Sequence, residues 1–138
     1  YLFEKNQIPF FDDYAHHPTE IESVLDGVKK VYNEEEIVCI FQPHRISRVR
    51  SLKKEFSKCF KKANTILLCP IYKAGENIKL GFSYESFAKL IAKNSNVNLI
   101  MLKNEHELKK IIKNITFGKK IFIAMGAGSI SNWVRNLN

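Results

Sequence analysis

A chain of 138 residues that is 45% hydrophobic suffices for one domain, 1–138, large enough to bury about two thirds of its unfolded surface. Its three cysteines show no Cys-x-x-Cys spacing, which argues against a disulfide framework or a zinc site, and no apolar run approaches the roughly 18 residues of a membrane span. The net charge of +8 admits an acidic partner, but the lysines (Lys29, Lys30, Lys53, Lys54, Lys109, Lys110) recur on the polar sides of helical repeats among glutamates, the pattern of a solvated face.

In chain order, Ile8 to Tyr14 reads as a first strand ending in two acids. Pro18 suits the first helical position, Glu20 and Glu22 suit the positive end of a helix dipole, and Ile21, Val24, Leu25, Val28 and Tyr32 form one apolar stripe at helical spacing. Ile37 to Phe41 is a continuous apolar run, as expected of a strand covered on both faces. Val49, Leu52, Phe56 and Phe60 mark a second helix, and Thr65 to Cys69 a third strand stopped by Pro70. A longer connection through Tyr72 and Glu76 precedes a helix with Ser83 as N-cap and Tyr84, Phe87, Ala88 and Ile91 on its inner face. Val97 to Leu102 is a fourth strand, Asn104 caps a helix carrying Leu108, Ile111, Ile112 and Ile115, and Lys120 to Met125 is a fifth strand leading through Gly126-Ala127-Gly128 into a last helix. Strand and helix alternate five times, which implies an α/β fold with a mainly parallel sheet and helices on both faces.

In such a sheet the loops that leave strands and enter helices emerge on one edge, where open α/β sheets bind ligands. Asp12, Asp13, His16, His17, His44, Arg45, Ser47, Arg48, Tyr72 and Glu76 all fall in those loops, and the opposite loops hold no comparable set. Arg45 and Arg48 stand three apart at a helix entrance, where both guanidinium groups and free helix amides could meet one carboxylate or phosphate; the plainer alternative is a pair of exposed arginines bonding local carboxylates. His16, His17 and His44 are suited to proton transfer, but no third ligand has a recognisable metal spacing, and His17 is expected to bond backbone near its helix start. Asp12 and Asp13 could coordinate a cation or hydrogen-bond a ribose; the plainer alternative is that one caps the loop while the other faces solvent. The Gly126-Ala127-Gly128 run lacks the third glycine of a dinucleotide fingerprint and reads as a tight turn with close packing; no Gly-x-x-x-x-Gly-Lys-[Ser/Thr] loop is present.

Four blocks then carry a resemblance: Asp12-Asp13-Tyr14-Ala15-His16-His17-Pro18-Thr19-Glu20, Phe41-Gln42-Pro43-His44-Arg45 with Ser47-Arg48, Tyr72 with Ala74-Gly75-Glu76, and Met125-Gly126-Ala127-Gly128. In this order and at these separations the chain resembles the C-terminal domain of the Mur ligases, ATP-dependent enzymes that build the peptidoglycan peptide. The resemblance implies a Rossmann-like three-layer α/β/α domain whose sheet has five or six strands, one of them antiparallel. It implies two further domains outside this chain, one for a UDP-sugar and a central P-loop domain for ATP and Mg2+, with which this domain makes contact. The chain opens at Tyr1 with no methionine and no leader, so it is expected to be a piece of a longer, cytoplasmic bacterial protein, with neither nucleic acid nor membrane as partner.

Within the family the Gln42-Pro43-His44-Arg45 block is most similar to the branch that joins L-alanine to UDP-N-acetylmuramate through an acyl phosphate, with the murein-tripeptide recycling branch as the alternative. Outside the family the competing reading is a freestanding flavodoxin-like module that binds a small anion. Carried over by position, Tyr14, His16, His44, Arg45 and Arg48 match residues around the incoming alanine, and Asp13 an acid that helps to hold the nucleotide. His16 or His44 is the proton acceptor under this reading, and no metal ligand is assigned to the chain. Two positions depart from the family pattern: Ile46 stands where an aromatic residue is usual, and Ser129 where an acid is common.

Overall fold

A computed structural model describes all residues, 1–138. The elements are β1 (Phe3–Lys5), β2 (Ile8–Asp13), α1 (Pro18–Val31), β3 (Glu36–Phe41), α2 (Ile46–Ser51), α3 (Lys53–Lys58), β4 (Thr65–Leu68), α4 (Tyr84–Ser95), β5 (Asn98–Met101), α5 (Glu105–Ile115), β6 (Lys120–Met125) and α6 (Ile130–Arg135). They build one six-stranded sheet in the order β1-β2-β6-β3-β4-β5, parallel at every neighbouring pair except β1 with β2.

The period-two alternation of each strand divides the core into two layers. On one face Ile37, Cys39, Phe41, Ile66, Leu68, Ile121 and Ile123 meet Ile21 and Leu25 of α1, Val49 of α2, Phe56 of α3, and Phe87 and Ile91 of α4. On the other face Phe10, Val38, Ile40, Leu67 and Phe122 meet Leu108 and Ile112 of α5 and Ile130 and Val134 of α6. Burial on both faces explains why β3 and β6 read as unbroken apolar runs. The three cysteines lie in this core as buried thiols, and burial pushes Cys69 up to about 12. No helix is long and apolar enough to cross a membrane.

The expected caps form: Ser83 Oγ accepts from Ser86 N at 3.0 Å and Asn104 Oδ1 from Glu107 N at 2.9 Å. The antiparallel strand that the resemblance implies is present but has no signal in the residue pattern, and one helix differs from expectation. The antiparallel strand is β1, joined to β2 by Asn6 and Gln7, both left-handed at φ 52° and 65°. Two positive φ values make the right-twisted two-residue hairpin loop, and without a glycine in the pair its usual signal is missing. Phe3 then stacks on Phe10 at 4.7 Å and Phe10 on Phe122 at 4.5 Å, which fixes the hairpin to the sheet. The second expected helix is two, α2 and α3, because Leu52 leaves helical geometry at φ −118° and ψ 22°. Its apolar stripe survives the bend, with Val49, Phe56 and Phe60 all buried.

Candidate functional site

The register places Asp13 opposite Met125, Met125 opposite Phe41 and Phe41 opposite Leu68, so β2, β6, β3 and β4 end level with one another. Strand β6 enters between β2 and β3 yet continues into α6 on the opposite face from α1 and α2. That reversal leaves a crevice at the strand ends, the usual ligand position in such sheets.

The β2–α1 loop is organised locally. Asp13 Oδ1 accepts from Ala15 N at 2.8 Å and turns the chain. His17 Nδ1 accepts from Thr19 N at 3.3 Å, and Glu20 Oε1 accepts from the backbone N–H of His17 at 3.0 Å and of His16 at 3.3 Å. With Pro18 as the first helical residue this is a capping box that uses histidine in place of serine. The N–H groups of His17 and then His16 hold the Glu20 carboxyl below its ordinary value.

Long-range contacts organise the β3–α2 loop. Arg45 N donates to Tyr72 O and Tyr72 N to Pro43 O, each at 2.8 Å, a parallel bridge that continues the β3–β4 pairing past the strands. Arg45 takes the left-handed φ of 74°, uncommon for a residue with a side chain. Glu76 receives the backbone N–H of Ser47 at 3.0 Å and its hydroxyl, and these two bonds hold the Glu76 carboxyl low. The Ser47 amide, expected to be free for a ligand at this helix entrance, is therefore taken by Glu76, whose charge already answers the helix dipole.

Beneath this loop Gln42, almost fully buried, donates from Nε2 to Ser129 Oγ and accepts at Oε1 from Ile130 N, both at 3.0 Å. Ser129 thus supplies the acceptor at the position where the family commonly has an acid, and Ile46 is buried in the core where an aromatic residue is usual. Gly128 allows the close approach: a Cβ there would lie 2.4 Å from Tyr72 Cγ and 2.8 Å from Gln42 Oε1.

The result is a row of rings along the crevice. Tyr14 meets His16 at 5.3 Å and His16 meets His44 at 5.6 Å, both edge to face, and His44 stacks on Tyr72 at 5.6 Å. Arg48 donates from one guanidinium nitrogen to His44 O at 3.0 Å and to His44 Nδ1 at 3.2 Å. Arg45 is exposed at the rim, its guanidinium hydrogen-bonded to nothing in the chain. Burial first, then the positive charge of Arg48, the neighbouring His16 and Arg45, depress the His44 imidazolium. His44 is therefore neutral near pH 7. A neutral His44 imidazole, the His16 ring beside it and one free guanidinium on an accessible edge can bind a small carboxylate and receive a proton.

The structure brings together Tyr14, His16, His44, Arg48, Ser47, Tyr72 and Glu76, with Arg45 beside them. It does not bring Asp12 to the row, since Asp12 Oδ2 accepts from Ser131 Oγ and from the Arg135 guanidinium at 3.5 Å. His17 faces its own helix as the cap. No motif or spacing marks the clamp role of Gln42, although a glutamine leaving a buried strand is a signal of such a clamp.

The chain matches the family described as "Mur ligase, glutamate ligase domain" over residues 2–128. It is 60% identical to UDP-N-acetylmuramate–L-alanine ligase of Pelagibacter ubique over 136 residues, 99% of this chain and 29% of that protein. It is 35% identical to the ligase of the same name from Rhodospirillum rubrum over 94% of this chain and 27% of that one. The chain thus spans under a third of the length of these relatives. Among solved structures, the UDP-N-acetylmuramate–alanine ligase of Thermotoga maritima superposes with a TM-score of 0.70 at 26% identity, covering 98% of this chain and 27% of that one. The murein peptide ligase of Psychrobacter arcticus shares the fold, with a TM-score of 0.71 at 21% identity over 98% of this chain and 28% of that one. With the family matched from residue 2 through Gly128, the last glycine of the crevice, the chain belongs to the Mur ligases as their C-terminal domain.

Proposed function

We propose that this chain is the amino-acid-binding domain of a cytoplasmic bacterial ligase that joins L-alanine to UDP-N-acetylmuramate at the expense of ATP. The observation that carries the reading is the Tyr14–His16–His44–Tyr72 row with Arg45 and Arg48 beside it, in a chain 60% identical to a ligase named for that reaction. Arg45 and Arg48 hold the alanine carboxylate, His16 and His44 flank its ammonium group, and Tyr14 closes the outer end of the row. The amine must lose a proton before it can attack the acyl phosphate, so one of the two histidines accepts it.

ATP and Mg2+ do not fit this chain as their principal site, because it has no P-loop sequence to cradle a triphosphate. They belong, with the UDP-sugar, to two domains outside it. Asp13, whose Oδ2 has no bond within the chain, suits one hydrogen bond to the nucleotide when the domains close.

The test is phosphate release by the full-length protein containing this chain, supplied with ATP, Mg2+, UDP-N-acetylmuramate and L-alanine, each omitted in turn. Release should require all four. Arg45→Ala should raise KM for alanine about 10- to 100-fold, the worth of a charge-assisted hydrogen bond, with a smaller change in kcat. Release with murein tripeptide in place of alanine would assign the recycling reaction instead, and release with neither would overturn the ligase reading.

A further inference from the structure

The two histidines of the row look equivalent by position, but their hydrogen bonds are opposite in kind. His16 Nδ1 lies 2.8 Å from the carbonyl oxygen of Tyr14. A carbonyl only accepts, so His16 Nδ1 carries the hydrogen and the lone pair of the neutral ring is on Nε2. His44 Nδ1 lies 3.2 Å from an Arg48 guanidinium nitrogen, which only donates. The lone pair of His44 is therefore on Nδ1, already engaged, and its hydrogen is on Nε2.

No buried polar side-chain atom in the chain lacks a partner. Neither Nε2 is bonded within the chain, so both are open to a ligand. From the resting network we infer that His16 Nε2 is the proton acceptor for the incoming amine, and that His44 Nε2–H is a fixed donor that orients the amino-acid carboxylate. This assignment rests on the amino-acid-binding reading above.

The rings' neighbours support the division. Around His16 stand Tyr14, His17 and Glu20 from its own segment, with Glu20 Oε1 3.9 Å from His16 Nδ1, and His44 with Arg48 behind it from the facing loop. A proton arriving on Nε2 makes an imidazolium whose Nδ1–H remains on the Tyr14 carbonyl beside the Glu20 carboxylate. Protonating His44 instead would set its Nδ1 hydrogen against the Arg48 guanidinium and break that bond. The balance is complete: the ammonium passes one proton to His16 Nε2, the amine forms the C–N bond as the C–O bond to phosphate breaks, and the second nitrogen proton leaves on the phosphate.

The experiment uses the full-length ligase and two nucleophiles. Hydroxylamine is largely unprotonated at neutral pH and traps an acyl phosphate as a hydroxamate without a base, whereas alanine arrives as an ammonium. His16→Asn keeps a donor for the Tyr14 carbonyl and removes the acceptor. It should lower the alanine-dependent rate about 100-fold or more, the scale of general base catalysis, while hydroxamate formation stays within about threefold. His44→Gln keeps a donor at the Nε2 position; it should raise KM for alanine and leave the acid limb of the kcat/KM profile in place.

Loss of that acid limb in His44→Gln, or an equal loss of both products in His16→Asn, would overturn the assignment. If His16→Asn does not fold, the His44→Gln profile decides alone, since a retained limb supports His16 and a lost one overturns it. Absence of hydroxamate from the unsubstituted ligase would instead overturn the ligase reading itself.

Discussion

The entrances of α1 and α2 face each other across the crevice and solve the same problem differently. Every helix start leaves backbone N–H groups unpaired, and an anionic or neutral acceptor must supply them. At α1 the acceptors are His17 and Glu20, both within four residues of the groups they satisfy. At α2 the acceptor is Glu76, 29 residues beyond Ser47, and the turn is fixed by Tyr72 and supported by Gly128. The entrance built locally positions His16, and the one built from distant segments positions His44, Arg45 and Arg48. The first should tolerate changes elsewhere in the chain, and the second should fail when any of three separate loops is altered.

The sharpest way to break this contrast is Gly128→Ala. The new methyl would press into Tyr72 Cγ and Gln42 Oε1, so Tyr72 must shift and take with it the acceptor of Arg45 N. Overpacking of this kind costs about 1–3 kcal/mol, read as a lower Tm of the full-length protein, and KM for alanine should rise with it. The α1 entrance makes no contact with Gly128 through these bonds, so hydrogen exchange at His17 and Thr19 should be unchanged while that at Arg45 and Ser47 accelerates. Equal acceleration at both would show that the two entrances are one cooperative unit.

A smaller effect is expected from Glu76→Ala, which removes the acceptor of Ser47 N and the hydroxyl without adding volume. Alanine affinity should fall severalfold through loss of position in the β3–α2 loop, with less change in Tm than Gly128→Ala produces. Glu76→Gln retains a neutral acceptor and should recover most of the loss; failure to recover would mean that charge, set against Arg45, matters more than the bond. Kinetics across the three variants separate the two.

The same contrast explains which features were readable in the sequence. Proline, glutamate and the apolar stripe of α1 lie within one short window, and so do the Ser83 and Asn104 caps, because helix capping is a local interaction. Five strand-helix units and the edge on which the histidines and arginines gather follow from periodicity and parallel pairing. The hairpin at Asn6 and Gln7 was hidden because its turn uses left-handed residues that are not glycine, and the bend at Leu52 because the apolar stripe continues through it. Glu76 could be placed at the right edge of the sheet but not on Ser47, since nothing in the connection from Cys69 to Ser83 states which amide its tip will reach. Nor could residue types alone distinguish the roles of His16 and His44, because a tautomer depends on the partner of the other ring nitrogen.

The smallest expected effect lies at α1 and tests whether its cap works through charge as well as geometry. Glu20→Gln preserves the capping-box hydrogen bonds, for which glutamine serves as well as glutamate, and removes only the carboxylate charge near the helix N-terminus. That charge is worth roughly 0.3–1 kcal/mol at an exposed site, less at high salt. The Glu20 carboxyl is lowered from its ordinary 4.5 by the His17 and His16 amides, so its stabilising contribution is present above that value and is lost as pH falls through the lower, folded one. Thermal unfolding should therefore show the native protein above Glu20→Gln in Tm at pH 7, with the gap narrowing as pH falls below 4.5 and closing once the folded carboxyl is protonated as well. A gap that persists in acid would assign the difference to the shape of the amide rather than to charge, and would make the α1 entrance purely geometric, unlike the charged contact that Glu76 makes at α2.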